Sequence, residues 1–140
     1  MTRTRLTTCG LASISLSVIM GSLSAQTIQA PFNGVYSFTS LGTVTGVPTP
    51  YGGVTFMPGD PNTMLLGGSA NNSAGAIYSV PVTRDPTGRM TGFGTPTLFS
   101  TAPNIDGGLS FGPGGVLFFT RYSTNDIISS EDEFRGRRRR

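Results

Sequence analysis

The chain has no histidine, tryptophan or lysine, and its single cysteine, Cys9, lies near the N terminus. The missing histidine removes the commonest general base, and the lack of a thiol beyond Cys9 removes a thiolate nucleophile and the soft metal ligands. Beyond residue 25 the chain contains no cysteine, so disulfides cannot stabilise it there. Stability in this part of the chain must come from apolar burial and strand pairing.

Long apolar runs are also missing. Residues 11–23 are uncharged and mostly apolar but contain several serines, Arg3 and Arg5 precede them, and small residues follow up to Ala25. This is the pattern of a secretory signal peptide, whereas a membrane anchor needs about 20 continuous apolar residues. We therefore predict a signal peptide over residues 1–25 and a secreted, extracytoplasmic protein of bacterial type, in the periplasm or at the cell exterior. No transmembrane segment is expected after signal removal.

Positive charge is scarce between residues 26 and 134, where three arginines face seven acidic residues, a net charge of −4. A nucleic-acid-binding surface needs basic residues spread over one face, so we expect the folded part to bind no nucleic acid. Five arginines instead gather in residues 135–140. Blocks of like charge are usually disordered, and residues 131–140 are predicted to form a charged, disordered tail.

What the chain does contain is glycine, proline and short bursts of β-branched and aromatic residues, with 20 glycines and 10 prolines in all. No stretch keeps a helical period over three turns, and clusters of Pro, Gly and Asn separate the apolar bursts. We predict an all-β domain over residues 26–130. The predicted strands cover residues 35–41, 43–47, 53–56, 63–66, 75–82, 97–100, 108–111, 116–121 and 126–129.

An internal repeat organises this domain. A shift of 55 residues aligns Gly52-Gly53 with Gly107-Gly108 and preserves the apolar and polar alternation that follows each pair. After the next Pro-Gly turn, the match places residues 64–66 on residues 116–118, with the second copy three residues shorter. The loss of loop residues at a turn is the kind of change that repeats tolerate.

The repeat period favours a β-propeller, because repeats near 50 residues with about four strands are typical of its blades. The two blade-like antiparallel repeats are placed at about residues 31–85 and 86–130. A closed ring needs at least about four blades. We therefore predict that the two repeats are part of a truncated propeller. The alternative is a small β-sandwich, which uses the same turn residues.

The segment Asp106-Gly-Gly-Leu-Ser-Phe-Gly-Pro-Gly-Gly-Val-Leu-Phe-Phe-Thr120 resembles the blade repeat of secreted bacterial propellers of the NHL and gluconolactonase-like kind. Residues 49–123 are also similar to proteins exported with PEP-CTERM sorting tails, although the sequence contains no such tail. The blade resemblance covers two short windows, and Gly114-Gly115 stands where the repeat prefers Asp-Gly. It implies a blade, and in gluconolactonase-like members a metal-binding carboxylate at the channel mouth.

Two short oxygen-rich clusters supply the candidate metal ligands. Asp60 and Asn62 flank Pro61, and Asp106 lies two residues after Asn104. Calcium binds carboxylate, amide and backbone oxygens, although Asp and Asn at such positions also close turns through the backbone. We therefore name Asp106, Asp60 and Asn62 as candidate calcium ligands and predict no other cofactor.

Two functional hypotheses follow. The preferred one is an exported, non-catalytic β-repeat protein with a binding or surface-structural role, whose ligand could be a polysaccharide or a cell-surface component. The alternative is a fragment of a calcium-dependent propeller hydrolase or lactonase. A carbohydrate-binding face could be lined by Tyr78, Tyr122, Phe118 and Phe119, although aromatic residues that alternate along strands more often belong to a core.

Overall fold

The computed structural model describes residues 26–130, and the predicted signal peptide and charged tail lie outside these residues. The described residues divide into two compact units between Thr39 and Ser40. In the first unit, residues 26–39 include a 3₁₀ turn, Phe32–Gly34. The rings of Phe32 and Tyr36 lie 6.3 Å apart between centroids there. All the strands described below belong to the second unit.

The second unit contains eight antiparallel strands in two sheets, which confirms the prediction of an all-β fold. The strands are β1 (Val54–Met57), β2 (Asp60–Gly68), β3 (Ala76–Arg84), β4 (Met90–Phe93), β5 (Thr97–Thr101), β6 (Ile105–Phe111), β7 (Leu117–Arg121) and β8 (Asp126–Ser129). The first sheet has the order β1-β2-β3, with β4 and β5 both pairing with β3, and the second sheet has the order β6-β7-β8. Within the described residues, neither sheet closes on itself.

Two predicted strands are wrong and one strand was missed. Residues 35–41 form no strand, because the N–H groups of Val35 and Tyr36 both donate to the Phe32 carbonyl and start this segment in a turn. Residues 43–47 turn instead of extending, because the Val47 N–H donates to the Val44 carbonyl and Gly46 adopts a φ of 93°. The missed strand, β4, is only four residues long.

Two apolar clusters cover the two faces of the first sheet. The inter-sheet cluster lies between the sheets and consists of Leu65, Ile77, Ala102, Ile105, Leu109, Leu117 and Phe119. The outer cluster covers the other face and consists of Val44, Val47, Met64, Leu66, Val80 and Val82. Neighbouring residues of β2 enter different clusters, because successive side chains of a strand point to opposite faces. Each fully buried Leu, Ile or Phe contributes about 1.5–3 kcal/mol to folding.

The strand register relates the two sheets residue by residue. Val54 pairs with Leu66 across the first hairpin, and Leu109, which holds the corresponding place after its Gly-Gly pair, pairs with Phe119. Leu66 therefore corresponds to Phe119, whereas the sequence match placed it on Phe118. On the predicted repeat, the register corrects that match by one residue, and the predicted second copy is two residues shorter between these strands instead of three. A slip of one residue exchanges the two faces of a strand, so the correction decides which side chains point toward the other sheet.

With the corrected register, Leu65 corresponds to Phe118 and Ile77 corresponds to Ile127. Leu65 and Ile77 point toward the second sheet. We call the face that carries Leu65 and Ile77 the leading face of the first sheet. The face that carries Phe118 and Ile127 is the leading face of the second sheet. The leading face of the first sheet packs against the opposite face of the second. The two sheets therefore stack in the same sense instead of meeting through equivalent faces.

Candidate functional site

The candidate calcium ligands Asp60 and Asn62 lie together at the start of β2 and take part in closing the turn that leads into it. The Asp60 carboxylate accepts a hydrogen bond from the Asn62 N–H at 2.9 Å and from the Thr63 hydroxyl at 2.6 Å. The Thr63 hydroxyl, followed by the Asn62 N–H, holds the pKa of Asp60 below its usual value. Both oxygens of this carboxylate therefore have partners within the turn.

Arg84, at the end of β3, joins this turn to the next one. Its guanidinium donates to the Pro61 carbonyl at 2.7 Å, to the Gly88 carbonyl at 2.8 Å and to the Asn62 amide oxygen at 3.3 Å. The same group lies 5.5 Å from the centre of the Phe56 ring, within the range of a cation–π contact. Nothing local in the sequence signals the role of Arg84, since Pro61 and Asn62 lie more than 20 residues away from it. A cation bound at Asn62 would meet this positive charge.

Asp106 lies on β6, in the second sheet, whereas Asp60 and Asn62 belong to β2 in the first. Its backbone carbonyl accepts a hydrogen bond from the Gly53 N–H at 2.8 Å, at the junction between the two sheets. Within residues 26–130, no three His, Cys, Asp or Glu residues form a group that could hold a metal ion. The calcium assignment remains a prediction.

Two other aspartates also close turns. The Asp85 carboxylate accepts hydrogen bonds from the Thr87 hydroxyl at 2.6 Å and from the Arg89 N–H at 3.0 Å, which together lower the pKa of Asp85. Asp126, at the start of β8, forms a salt bridge with Arg121 and accepts a hydrogen bond from the Thr124 hydroxyl at 2.7 Å. The Arg121 guanidinium, followed by the Thr124 hydroxyl, lowers the pKa of Asp126 to about 2.

Gly52 and Gly53, the first of the two glycine pairs, lie at a close approach between the two sheets. A Cβ atom on Gly53 would lie 2.6 Å from the Leu109 Cβ and 2.8 Å from the Gly108 carbonyl carbon. A Cβ atom on Gly52 would lie 2.6 Å from the Asp106 carbonyl oxygen. In the sequence these two glycines mark the predicted repeat, and the geometry assigns both to a contact that admits no side chain.

The four aromatic residues proposed for a carbohydrate-binding face do not share a face. Phe119 is buried in the inter-sheet cluster, and Tyr78 is half-buried against the outer cluster. Phe118 is exposed on β7 of the second sheet, and Tyr122 is exposed just after β7. The proposed face is therefore reduced to these two side chains, because alternation sends Phe119 inward and Phe118 outward.

Two depressions lie on the surface of the described strands. The larger has a volume of about 450 Å³ and is lined by Thr45, Gly46, Phe93, Gly94, Thr95 and Pro96. The smaller has a volume of about 180 Å³ and lies on the leading face of the second sheet, between Phe118, Thr120 and Ile127. The larger is a candidate ligand groove, and the smaller is almost wholly apolar.

No protein-family model, curated protein or solved structure matches the chain. The resemblance to secreted bacterial propellers therefore rests on the sequence motifs alone. Among residues 26–130, no helix is long and apolar enough to cross a membrane.

Proposed function

We propose that the chain is an exported, non-catalytic β-repeat protein with a binding or surface-structural role, built as part of a β-propeller. The observation that carries the proposal is that three of the four acidic side chains among residues 26–130 close a turn or an ion pair. Asp60, Asp85 and Asp126 each accept hydrogen bonds that close a turn or an ion pair. These carboxylates stabilise the scaffold, which is the role expected of acidic residues in a structural repeat.

The stacking of the sheets supports the propeller form of the proposal. Blades of a propeller are related by rotation about one axis, so every blade turns the same face toward its neighbour. Leu65 and Ile77 of the first sheet face the second sheet, and their equivalents Phe118 and Ile127 point away from the first. A two-fold sandwich of equivalent sheets would instead turn Phe118 and Ile127 inward. The stacking thus favours a rotational repeat over the sandwich alternative.

Export depends on residues 1–25, which lie outside the described residues. Expression of the full chain in a bacterium, followed by fractionation and N-terminal sequencing, tests it. We expect extracytoplasmic material that begins near Gln26, and cytoplasmic material when residues 2–25 are deleted. Full-length protein retained in the cytoplasm would contradict export.

The ligand proposed for this protein is a polysaccharide or another cell-surface component, bound in the larger depression. Thr45 lines that depression, and Thr43 lies outside its lining in the same segment, so the two threonines form a matched pair. In co-sedimentation with insoluble cell-wall polysaccharides, we expect Thr45→Trp to reduce the bound fraction and Thr43→Trp to leave it unchanged. Equal retention of both variants would contradict binding in this groove.

A calcium titration separates the proposal from a hydrolase or lactonase. We expect no stoichiometric Ca²⁺ binding by calorimetry, since Arg84 lies against Asn62. Stoichiometric binding that Asp106→Ala abolishes, together with lactone hydrolysis that depends on Ca²⁺, would replace the scaffold proposal with the calcium-dependent enzyme.

A further inference from the structure

Within residues 26–130, every residue other than glycine that adopts a positive φ lies in one of three connections between strands. With φ between 50° and 67°, these residues are Ser69, Asn71, Asn104, Ser123 and Asn125. The connections, which we call the polar loops, are residues 69–75 between β2 and β3, 102–104 between β5 and β6, and 122–125 between β7 and β8. The other three hairpin turns place glycine at positive φ, namely Gly59, Gly88, Gly114 and Gly115.

The polar loops meet at one end of the sheets, opposite the glycine turns. The Asn71 N–H donates to the Ile105 carbonyl at 2.9 Å, which joins the first loop to the second. The Asn104 N–H donates to the Asn72 carbonyl at 2.8 Å, and the Tyr122 N–H donates to the Asn104 carbonyl at 3.0 Å. Backbone hydrogen bonds therefore fasten the three loops to one another and leave their side chains available.

The side chains at these positions come at a cost to local stability. A left-handed backbone conformation strains any residue that has a Cβ atom, whereas glycine adopts it freely. Asparagine is tolerated there because its amide can form a local hydrogen bond. The side chains of Asn71, Asn104 and Asn125, however, make no hydrogen bond to any residue that the structure describes. Local stability does not explain them, and strained positions of this kind cluster at ligand sites.

The chemistry of the polar loops is neutral and rich in hydrogen-bonding groups. They contain no charged residue, and Tyr122, which is 59% exposed, is their only aromatic residue. An amide both donates and accepts hydrogen bonds, and so does a sugar hydroxyl. Tyr, Ser, Gly and Asn are also the residues that the recognition loops of antibodies favour. A protein partner would need several apolar anchors, and a charged ligand would need an opposite charge.

We infer that the polar loops bind a neutral saccharide chain, with the exposed Asn71 and Asn125 amides bonding its hydroxyls and the Tyr122 ring packing against one sugar. The site shares no residue with the larger depression, so it is a second site and does not depend on binding there. The fastened loops lose little freedom on binding, but the contacts are few and exposed. We therefore expect a dissociation constant on the order of 1 mM for an oligosaccharide.

A nuclear magnetic resonance titration of the full chain tests this inference. The probes are cellohexaose, chitohexaose and laminarihexaose, each added in the presence of EDTA. We expect at least one of them to shift the backbone amides of the polar loops saturably. No saturable shift with any of the three would overturn the inference. Shifts confined to residues 93–96 of the larger depression, or shifts that appear only when Ca²⁺ replaces EDTA, would overturn it too.

Glycine variants separate binding from a structural role. Asn71→Gly combined with Asn125→Gly removes both exposed amides and suits the positive φ, so the urea midpoint should stay the same or rise. The dissociation constant should rise at least about fivefold, because two hydrogen bonds to the ligand are lost. A double variant that keeps the affinity of the parent, or whose urea midpoint falls with its affinity, would overturn the inference.

Gly59→Asn is the matched control, because it makes the reverse exchange at the other end of the sheets. Gly59 has a φ of 79°, and a Cβ atom there would have no atom within 4 Å. This variant should keep the dissociation constant of the parent, since its asparagine lies away from the polar loops. A rise equal to that of the double variant would overturn the assignment of the site to these loops.

Discussion

Ile77 and Ile127 occupy the same register position in the two sheets, yet Ile77 is fully buried and Ile127 is 72% exposed. Ile77 pairs with Gly67, two residues after Leu65 on β2. Ile127 pairs with Thr120, two residues after Phe118 on β7. The difference in burial arises because the second sheet covers the first at Ile77, whereas none of the other residues among 26–130 covers Ile127. The two sheets therefore share a register at these positions but differ in what surrounds them.

The glycine junction predicts a sharp difference between two neighbouring repeat positions. A Cβ atom on Gly53 would clash with Leu109 and with the Gly108 backbone, whereas a Cβ atom on Gly107 would have no atom within 4 Å. We expect Gly53→Ala to lower the free energy of unfolding by roughly 1–3 kcal/mol or more, because a packed interface has no room for the methyl group. Gly107→Ala, the control, should change it by less than about 0.5 kcal/mol. Urea denaturation followed by circular dichroism measures both, and equal losses would count against the close approach.

Arg84 predicts a second contrast, between two arginines at the ends of one turn. Arg84 donates to two backbone carbonyls and to Asn62, whereas Arg89 is exposed. We expect Arg84→Gln to cost about 1–2 kcal/mol of unfolding free energy, since hydrogen bonds between two turns are lost. Arg84→Lys should recover only part of this, because an ammonium group cannot reproduce the planar fork. Arg89→Gln should cost less than about 0.5 kcal/mol in the same denaturation assay, and a larger cost there would contradict the assignment.

How stability depends on pH follows from the turn aspartates. The pKa of Asp126 is about 2 in the folded chain, and the pKa values of Asp60 and Asp85 are also lowered. In the unfolded chain an aspartate titrates near about 3.9. A lowered folded pKa contributes stability that is present above the unfolded pKa and is lost as the pH falls through the folded pKa. The urea midpoint should therefore be constant near neutral pH and fall between about pH 4 and pH 2.

Asp126→Asn isolates the largest of these shifts. This variant removes the titrating group beside Arg121, so its urea midpoint should fall less steeply over the acid range than that of the parent chain. At neutral pH it should be less stable than the parent, because the ion pair is gone. An unchanged acid slope would contradict the assignment of the lowered pKa to this pair.

The sequence predicts the strands bounded by local turn signals and misses features that depend on distant residues. The turn at Gly59, with a φ of 79°, and the turn at Gly114 and Gly115 mark hairpins that were predicted correctly, because positive φ favours glycine. The segment around Val44 and Val47 has the apolar spacing of a strand, but it packs on the first sheet without pairing with it. Apolar spacing that reflects burial alone is therefore read as a strand in the sequence.

The site was less predictable than the fold. Asp60 and Asn62 are neighbours in the sequence, but nothing in the sequence brings Arg84 to Asn62, since that contact spans 22 residues. Sequence analysis could not fix the pairing of β7 either, because a loop that shortens by two or by three residues leaves the same glycines aligned. That single residue decides whether Phe118 or Phe119 faces the core.

The most direct test of this packing is a comparison of Ile77→Ala with Ile127→Ala by urea denaturation. Ile77→Ala should lower the free energy of unfolding by about 2–5 kcal/mol, because it leaves a cavity in the inter-sheet cluster. Ile127→Ala should lower it by less than about 0.5 kcal/mol, because that side chain is exposed. Losses of similar size for the two variants would contradict the account in which Ile77 packs between the sheets and Ile127, at the matching register position, is exposed.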